Sequence, residues 1–256
     1  MCAAPVPDGQ SPSRPRITPI QWVGLAVLVL LFLYLNGFLG RGTRAAQLQV
    51  LQFLPFAVGL IVGITVHEFS HGLVATFFGD DLPRRVGRLT LNPLKHLDPM
   101  GTLLILIPPH FGWGKPMPIN PAAMRNPGIG WAMSSLAGPV SNLIVATVVA
   151  ALFQALGDSL DALTASVLVG VVVVNVSLAI FNLVPLPPLD GFGFVFGLSP
   201  GPIRVILSPL WNYGPMLLLA LLFLPAVVPG FPPFLQEVIG AGRGFVLSTL
   251  GFGSEV

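Results

Sequence analysis

The run His67-Glu68-Phe69-Ser70-His71 places two imidazoles four residues apart around a carboxylate. On a helix, positions four apart share one face at about 6 Å along the axis, so both rings can bind one Zn²⁺ while Glu68 serves as general base toward a water beside it. The chain holds only four histidines and three glutamates, so the His-Glu-x-x-His pattern is not a by-product of composition. A catalytic zinc needs a third protein ligand and one open position. The metzincin extension would require Gly at 74 and His at 77, where this chain has Val74 and Phe77. Glu237 and Glu255 stand near the C-terminus without a polar partner at helical spacing. The remaining strong candidate is Asp190, in Asn182-Leu-Val-Pro-Leu-Pro-Pro-Leu-Asp190-Gly191. Taken alone, Asp-Gly reads as a turn; beside His67, Glu68 and His71 it reads as the missing ligand.

The elements that must position these groups are dictated by composition. Of 256 residues 54% are hydrophobic and 9% charged, against about a quarter charged in an ordinary soluble domain. The apolar residues fall in blocks at 22–39, 53–78, 129–156, 163–189 and 216–228. The first four approach or exceed the roughly 20 residues that cross about 30 Å of hydrocarbon. The expectation is an all-α polytopic membrane protein of about five to six transmembrane helices. Residues 1–19, with five prolines, form a disordered N-terminal tail, and residues 20–256 a single transmembrane domain. The first apolar block is longer than a signal h-region and lacks a small-residue cleavage site, so it reads as an anchor.

Arg14 and Arg16 precede the first block, and Arg84, Arg85, Arg88, Lys95, Lys115 and Arg125 follow the second. The positive-inside rule then puts the inner ends of the second and fourth blocks, with the histidine pair and Asp190, nearer the cytoplasmic face; Arg41 and Arg44 are exceptions. Between the second and third blocks, residues 102–121 are too proline-broken for a helix and too apolar for a free loop. Extended backbone at membrane depth is tolerated where protein or a water-filled cavity satisfies it, so a re-entrant β-like segment is expected there.

The His-Glu-x-x-His helix, Gly138-Pro-x-x-Asn142, and the Asn-x-x-Pro-x-x-x-x-Asp-Gly run ending at Asp190-Gly191 resemble the site-2 protease family of intramembrane zinc metalloproteases. Leu91-Asn-Pro-Leu-Lys-His-Leu-Asp-Pro-Met-Gly-Thr102 and residues 112–120 are similar to it as well, so the likeness covers roughly residues 55–195. The resemblance implies one Zn²⁺ held by His67, His71 and Asp190, Glu68 as catalytic acid/base, and Asn182 in contact with the substrate or its oxyanion. It also implies substrates that are transmembrane proteins. No inserted PDZ domain is visible, and residues 192–196 are less polar than the family pattern leads one to expect.

Other polar residues carry weaker expectations. Asn142 could orient Glu68, line the site, or serve as interhelical glue. Lys115 fits the positive-inside bias, and His96 and His110 read as ordinary polar residues. A formal charge of +2, scattered basic residues and the lack of a glycine-rich phosphate loop argue against nucleic acid as a partner. The single cysteine, Cys2, cannot form an intrachain disulfide. Ten arginines against two lysines hint at a GC-rich prokaryotic genome and hence a prokaryotic plasma membrane. The competing functions are a catalytically silent zinc-binding membrane scaffold and a transporter with a midplane metal site.

Overall fold

The computed structural model describes residues 43–98, 101 and 114–253. The expected first span, residues 22–39, lies outside them, as do the N-terminal tail, His110, Glu255 and residues 102–113 of the expected re-entrant segment.

Among the described residues eight α-helices follow one another: α1 (Thr43–Phe77), α2 (Leu82–Arg85), α3 (Pro127–Leu156), α4 (Ala162–Leu183), α5 (Asp190–Leu198), α6 (Gly201–Leu207), α7 (Leu210–Val227) and α8 (Phe234–Thr249). Four are long and apolar enough to cross a membrane: Phe53–Phe77 within α1, then α3, α4 and α7. This is an all-α polytopic membrane protein. The fourth apolar block was expected to run to residue 189, but α4 stops at Leu183 because Pro185, Pro187 and Pro188 cannot continue a helix. Conversely, α7 begins at Leu210, ahead of the expected 216, and carries Pro215 inside it. Proline is tolerated within membrane helices where neighbouring groups re-satisfy the backbone.

Helix ends follow local chemistry. Gly79, at φ 109°, takes the left-handed conformation that closes α1. Asn126 caps α3 through Ile129 N–H with Pro127 as the first helical residue. Asp161 caps α4 by accepting from the N–H groups of Leu163 and Thr164.

In lipid no hydrophobic force drives helix against helix, so close approach and interhelical hydrogen bonds must do so. A Cβ on Gly59 would lie 2.7 Å from the Gly170 carbonyl oxygen, and one on Gly63 2.6 Å from Leu178, so α1 and α4 touch nearly backbone to backbone. Away from that seam Val140, Ile144, Val148 and Leu152 form an exposed stripe along α3, as a lipid-facing surface requires. α8 packs its Leu247 with Phe252 on Ala146, Ala150, Val172 and Val176, while Leu235 joins Leu189 and Leu218.

Of the expected β-like segment, residues 114–121 are described. Among the described residues there is no strand, only an antiparallel bridge between Leu97 and Gly114. Residues 115–120 continue without regular structure toward a 3₁₀ turn at Pro121–Ala123. Pro116 and Pro118 remove two N–H groups within three residues, which precludes a continuous ladder.

Candidate metal centre

α1 delivers His67 and His71 from one face, their ring centroids 4.5 Å apart and nearly perpendicular. Both are buried, at 8% and 6% exposure. The proline break after α4 turns the chain so that Asp190 becomes the first residue of α5. Its Oδ2 lies 2.9 Å from His67 Nε2 and 3.3 Å from His71 Nε2.

The hydrogen bonds behind the rings decide what these distances mean. Asn142 donates its amide to the Gly63 carbonyl at 3.1 Å and to Asn175 Oδ1 at 2.8 Å, so its own Oδ1, 2.6 Å from His67 Nδ1, must be an acceptor. His71 Nδ1 lies 2.7 Å from the Ser134 carbonyl, which can only accept. Each imidazole therefore carries a proton on Nδ1, and a neutral ring turns the Nε2 lone pair toward Asp190. Asp190 Oδ2 is buried and accepts no hydrogen bond. Three electron-donating atoms, all within 4.8 Å of one another, converge on one point. For neutral rings that arrangement is repulsive unless a cation neutralises it, and tetrahedral zinc with bonds of about 2.1 Å separates its ligands by about 3.4 Å. The donor set fits zinc.

Space for the ion comes from Gly138. A Cβ there would sit 2.5 Å from His71 Nε2 and 2.7 Å from His67 Cε1, so any side chain would fill the cradle. Behind Asp190, α5 is pressed against α3 by its own glycines: a Cβ on Gly193 would lie 2.5 Å from Ser135 Oγ, and one on Gly197 2.7 Å from the Gly128 carbonyl oxygen. The apolar residues 192–196, a departure from the family pattern, have a structural purpose. Phe192 and Phe196 meet Trp211 edge-on at 5.0 and 5.9 Å, and Trp131 stacks on Trp211 at 5.5 Å. This aromatic cluster locks α3, α5 and α7 together and thereby sets the position of Asp190.

Glu68 accepts a hydrogen bond from Met117 N–H on Oε2 at 2.6 Å. Glu68, His67, His71, Asp190 and Asn182 all line one cavity of about 910 Å³, bounded by α1, α3, α4, α7, α8 and residues 114–119. Asn182 donates its amide to the Leu178 carbonyl at 2.8 Å, one turn back on its own helix.

Two sequence expectations need refinement. Asn142 orients His67 rather than Glu68. His96 is ordinary only in not being a ligand: it is fully buried, with Nε2 2.6 Å from the Thr90 carbonyl. Asn175 was missed, and Gly138 was noted only within the Gly138-Pro-x-x-Asn142 run, not as the space beside the rings. Asn175, one polar residue in the apolar run Leu168–Leu178, could have been found by asking why an amide is buried in a membrane helix; Gly138 becomes legible only from the geometry.

With this geometry in hand, similarity to known proteins is informative. The chain is 40% identical over 205 residues to "Putative zinc metalloprotease YwhC" of Bacillus subtilis, covering 77% of this chain and 91% of that protein. It is 33% identical over 183 residues to "Putative zinc metalloprotease Rip2" of Mycolicibacterium smegmatis, covering 68% of this chain and 69% of the relative. The Mycobacterium tuberculosis Rip2 is 28% identical over 188 residues, 68% of this chain and 69% of its own length. No family model matches the chain, and no solved structure does. An all-α membrane bundle with a zinc-compatible donor triad, matched along nine-tenths of a zinc metalloprotease, leaves one assignment: the chain belongs to the site-2 protease family of zinc metalloproteases.

Proposed function

We propose that this protein hydrolyses peptide bonds within or next to the transmembrane segments of membrane-protein substrates. The observation that carries this reading is where the cavity lies: His67, Glu68, His71 and Asp190 open into a space lined by all four membrane-crossing helices among the described residues, α1, α3, α4 and α7. Its roughly 910 Å³ is at the upper end of small-molecule cavities, about 300–1,000 Å³, which is room for a stretch of unwound peptide.

In this reading His67, His71 and Asp190 hold one Zn²⁺. When bound, zinc supplies Lewis acidity, polarising the scissile carbonyl and lowering the pKa of water. Glu68 keeps Oε2 on Met117 N–H and uses its other oxygen to take a proton from the attacking water. The same carboxyl then gives that proton to the leaving amine nitrogen as the C–N bond breaks. Asn182, on the cavity wall, swings its amide from the Leu178 carbonyl to the substrate carbonyl oxygen, where negative charge develops.

A helical substrate hides its carbonyls in i to i+4 bonds and must unwind before attack. Gly114, Pro116, Met117 and Ile119 line the cavity in non-helical form and offer extended backbone beside which an unwound strand can lie. The arginines and lysines that follow α1 support a site nearer the cytoplasmic face of a prokaryotic plasma membrane. Among the competing functions, a silent scaffold has no use for a carboxylate between its zinc ligands.

The test is cleavage of single-span membrane substrates in liposomes by wild type and Glu68→Gln, with zinc measured in both. Zinc in both and cleavage by wild type alone is expected. Equal cleavage by the variant would overturn the role of Glu68, and ion flux without cleavage would favour a transporter.

A further inference from the structure

The contact between Glu68 and Met117 N–H raises the question of what holds Met117. Residues 114–120 belong to no sheet or helix, so their placement rests on individual hydrogen bonds from buried groups. At one end, Leu97 and Gly114 form their bridge, and Lys115 N–H donates to the His96 carbonyl at 2.7 Å. At the other, Asn120 N–H donates to Asp80 Oδ2 at 2.6 Å, and Asp80 is fully buried. Between these ends stands one cationic side chain. Arg88, 7% exposed, donates from Nη2 to the Lys115 carbonyl at 2.7 Å.

Arg88 is an unusual choice for such a tie. Burying a guanidinium is costly unless charge and hydrogen bonds compensate it, and its Nε has no hydrogen-bond partner. Burial lowers the guanidinium pKa from its ordinary value, while the negative charge of Glu68 acts in the opposite sense. Arg88 and Glu68 thus hold the same segment at two points, the Lys115 carbonyl and the Met117 N–H.

We propose that Arg88 is a positioning residue for Glu68: it holds the Lys115 carbonyl and, through Lys115-Pro116-Met117-Pro118, fixes the Met117 N–H against Glu68 Oε2. Pro116 makes the coupling stiff. Its φ is locked near −65°, which leaves only its ψ free between the Lys115 carbonyl and the Met117 N–H, so a shift at Lys115 carries over to Met117. His96 serves the same clamp through its carbonyl, and its ring is held in turn by Thr90. This gives Arg88, Thr90 and His96 a shared role: they support the segment that aims the base. The inference rests on Glu68 being the group that carries the proton.

The experiment uses the full chain, zinc-loaded and in liposomes, as wild type, Arg88→Met and Arg88→Lys. For Arg88→Met, kcat should fall about tenfold or more, as misplacing a catalytic group by a fraction of an ångström to 1 Å does. KM should change less than kcat, since Arg88 meets the substrate-facing segment only through the Lys115 carbonyl, and zinc content should match wild type, since Arg88 touches no ligand. Arg88→Lys, which keeps the charge and a donor, should recover most of the loss. Hydrogen exchange gives a readout independent of activity, because residues 115–120 carry only four amide hydrogens, on Lys115, Met117, Ile119 and Asn120. Arg88→Met and Glu68→Ala should each speed exchange at Met117, and the double variant should be no faster than the faster single one. Unchanged kcat and unchanged exchange in Arg88→Met would overturn the proposal. So would loss of zinc together with activity that lysine fails to restore, which marks a purely structural role. If wild type binds zinc and cleaves nothing, the proteolytic reading fails, while the exchange comparison still decides the clamp.

Discussion

The two walls of the cavity are built on opposite plans. The metal wall consists of long helices pressed together at Gly59, Gly63, Gly138, Gly193 and Gly197. Its ligands are backed by the Asn142 side chain and the Ser134 carbonyl. The facing wall, residues 114–120, has no regular structure and is tied by single hydrogen bonds to Arg88, His96, Asp80 and Glu68. A metal site tolerates errors of only about 0.2 Å in ligand distance, and close-packed helices supply that rigidity. A strand-like surface for substrate must leave one edge unpaired, so it cannot be secured by a sheet on both sides. The functional division of labour thus follows from which backbone groups each wall can afford to leave free.

That contrast can be broken most severely at Gly138. In Gly138→Ala the added methyl enters the space beside His71 Nε2 and His67 Cε1. The purified protein should retain no zinc by metal analysis and show cleavage at background. Zinc retained at wild-type level would mean the helices are looser than the packing implies.

A smaller effect is expected one layer out. Asn142→Leu keeps the volume but leaves His67 Nδ1, Asn175 Oδ1 and the Gly63 carbonyl each short of one partner. Zinc affinity should fall about 10–100-fold in a chelator competition, with thermal stability lowered by about 1–3 kcal/mol for each buried group left unpaired. Unchanged affinity would move Asn142 from metal support to helix glue alone.

The mildest perturbation falls on the opposite wall. Replacing Pro116 or Pro118 by alanine frees φ and adds an N–H without touching any ligand. Zinc content should be unchanged while KM rises severalfold, and for Pro116→Ala kcat should fall as well, because the freed rotation loosens the Met117 N–H against Glu68. Cleavage of every substrate at the wild-type rate would remove residues 115–120 from substrate binding.

Much of the metal wall was readable from residue order. His67, Glu68 and His71 are local, and a period of 3.6 residues is enough to put them on one face. Asp190 was reachable because two helices running in the same direction bring their inner ends to one depth. Asn142 was noticed with three readings left open, and the structure shows it joining helices and meeting His67 rather than Glu68: which of two adjacent helical residues an amide meets depends on helix rotation, and apolar membrane segments carry no periodicity that fixes it. The supporting roles of Arg88 and His96 were obscured for a related reason, since positive-inside bias explains any basic residue after a span.

By itself, the sequence determined that the chain lives in lipid, where its long apolar segments lie, and which residue types could hold a metal. Those are matters of hydrocarbon thickness, capping chemistry and spacing along one helix. Only the tertiary structure decided how the helices rotate and how closely they approach. It thereby decided that Gly138 leaves the cradle open, that Asn142 faces His67, and that an irregular strand reaches Glu68. Contacts between residues 50 or more positions apart are set by packing, and packing is a property of all the helices at once.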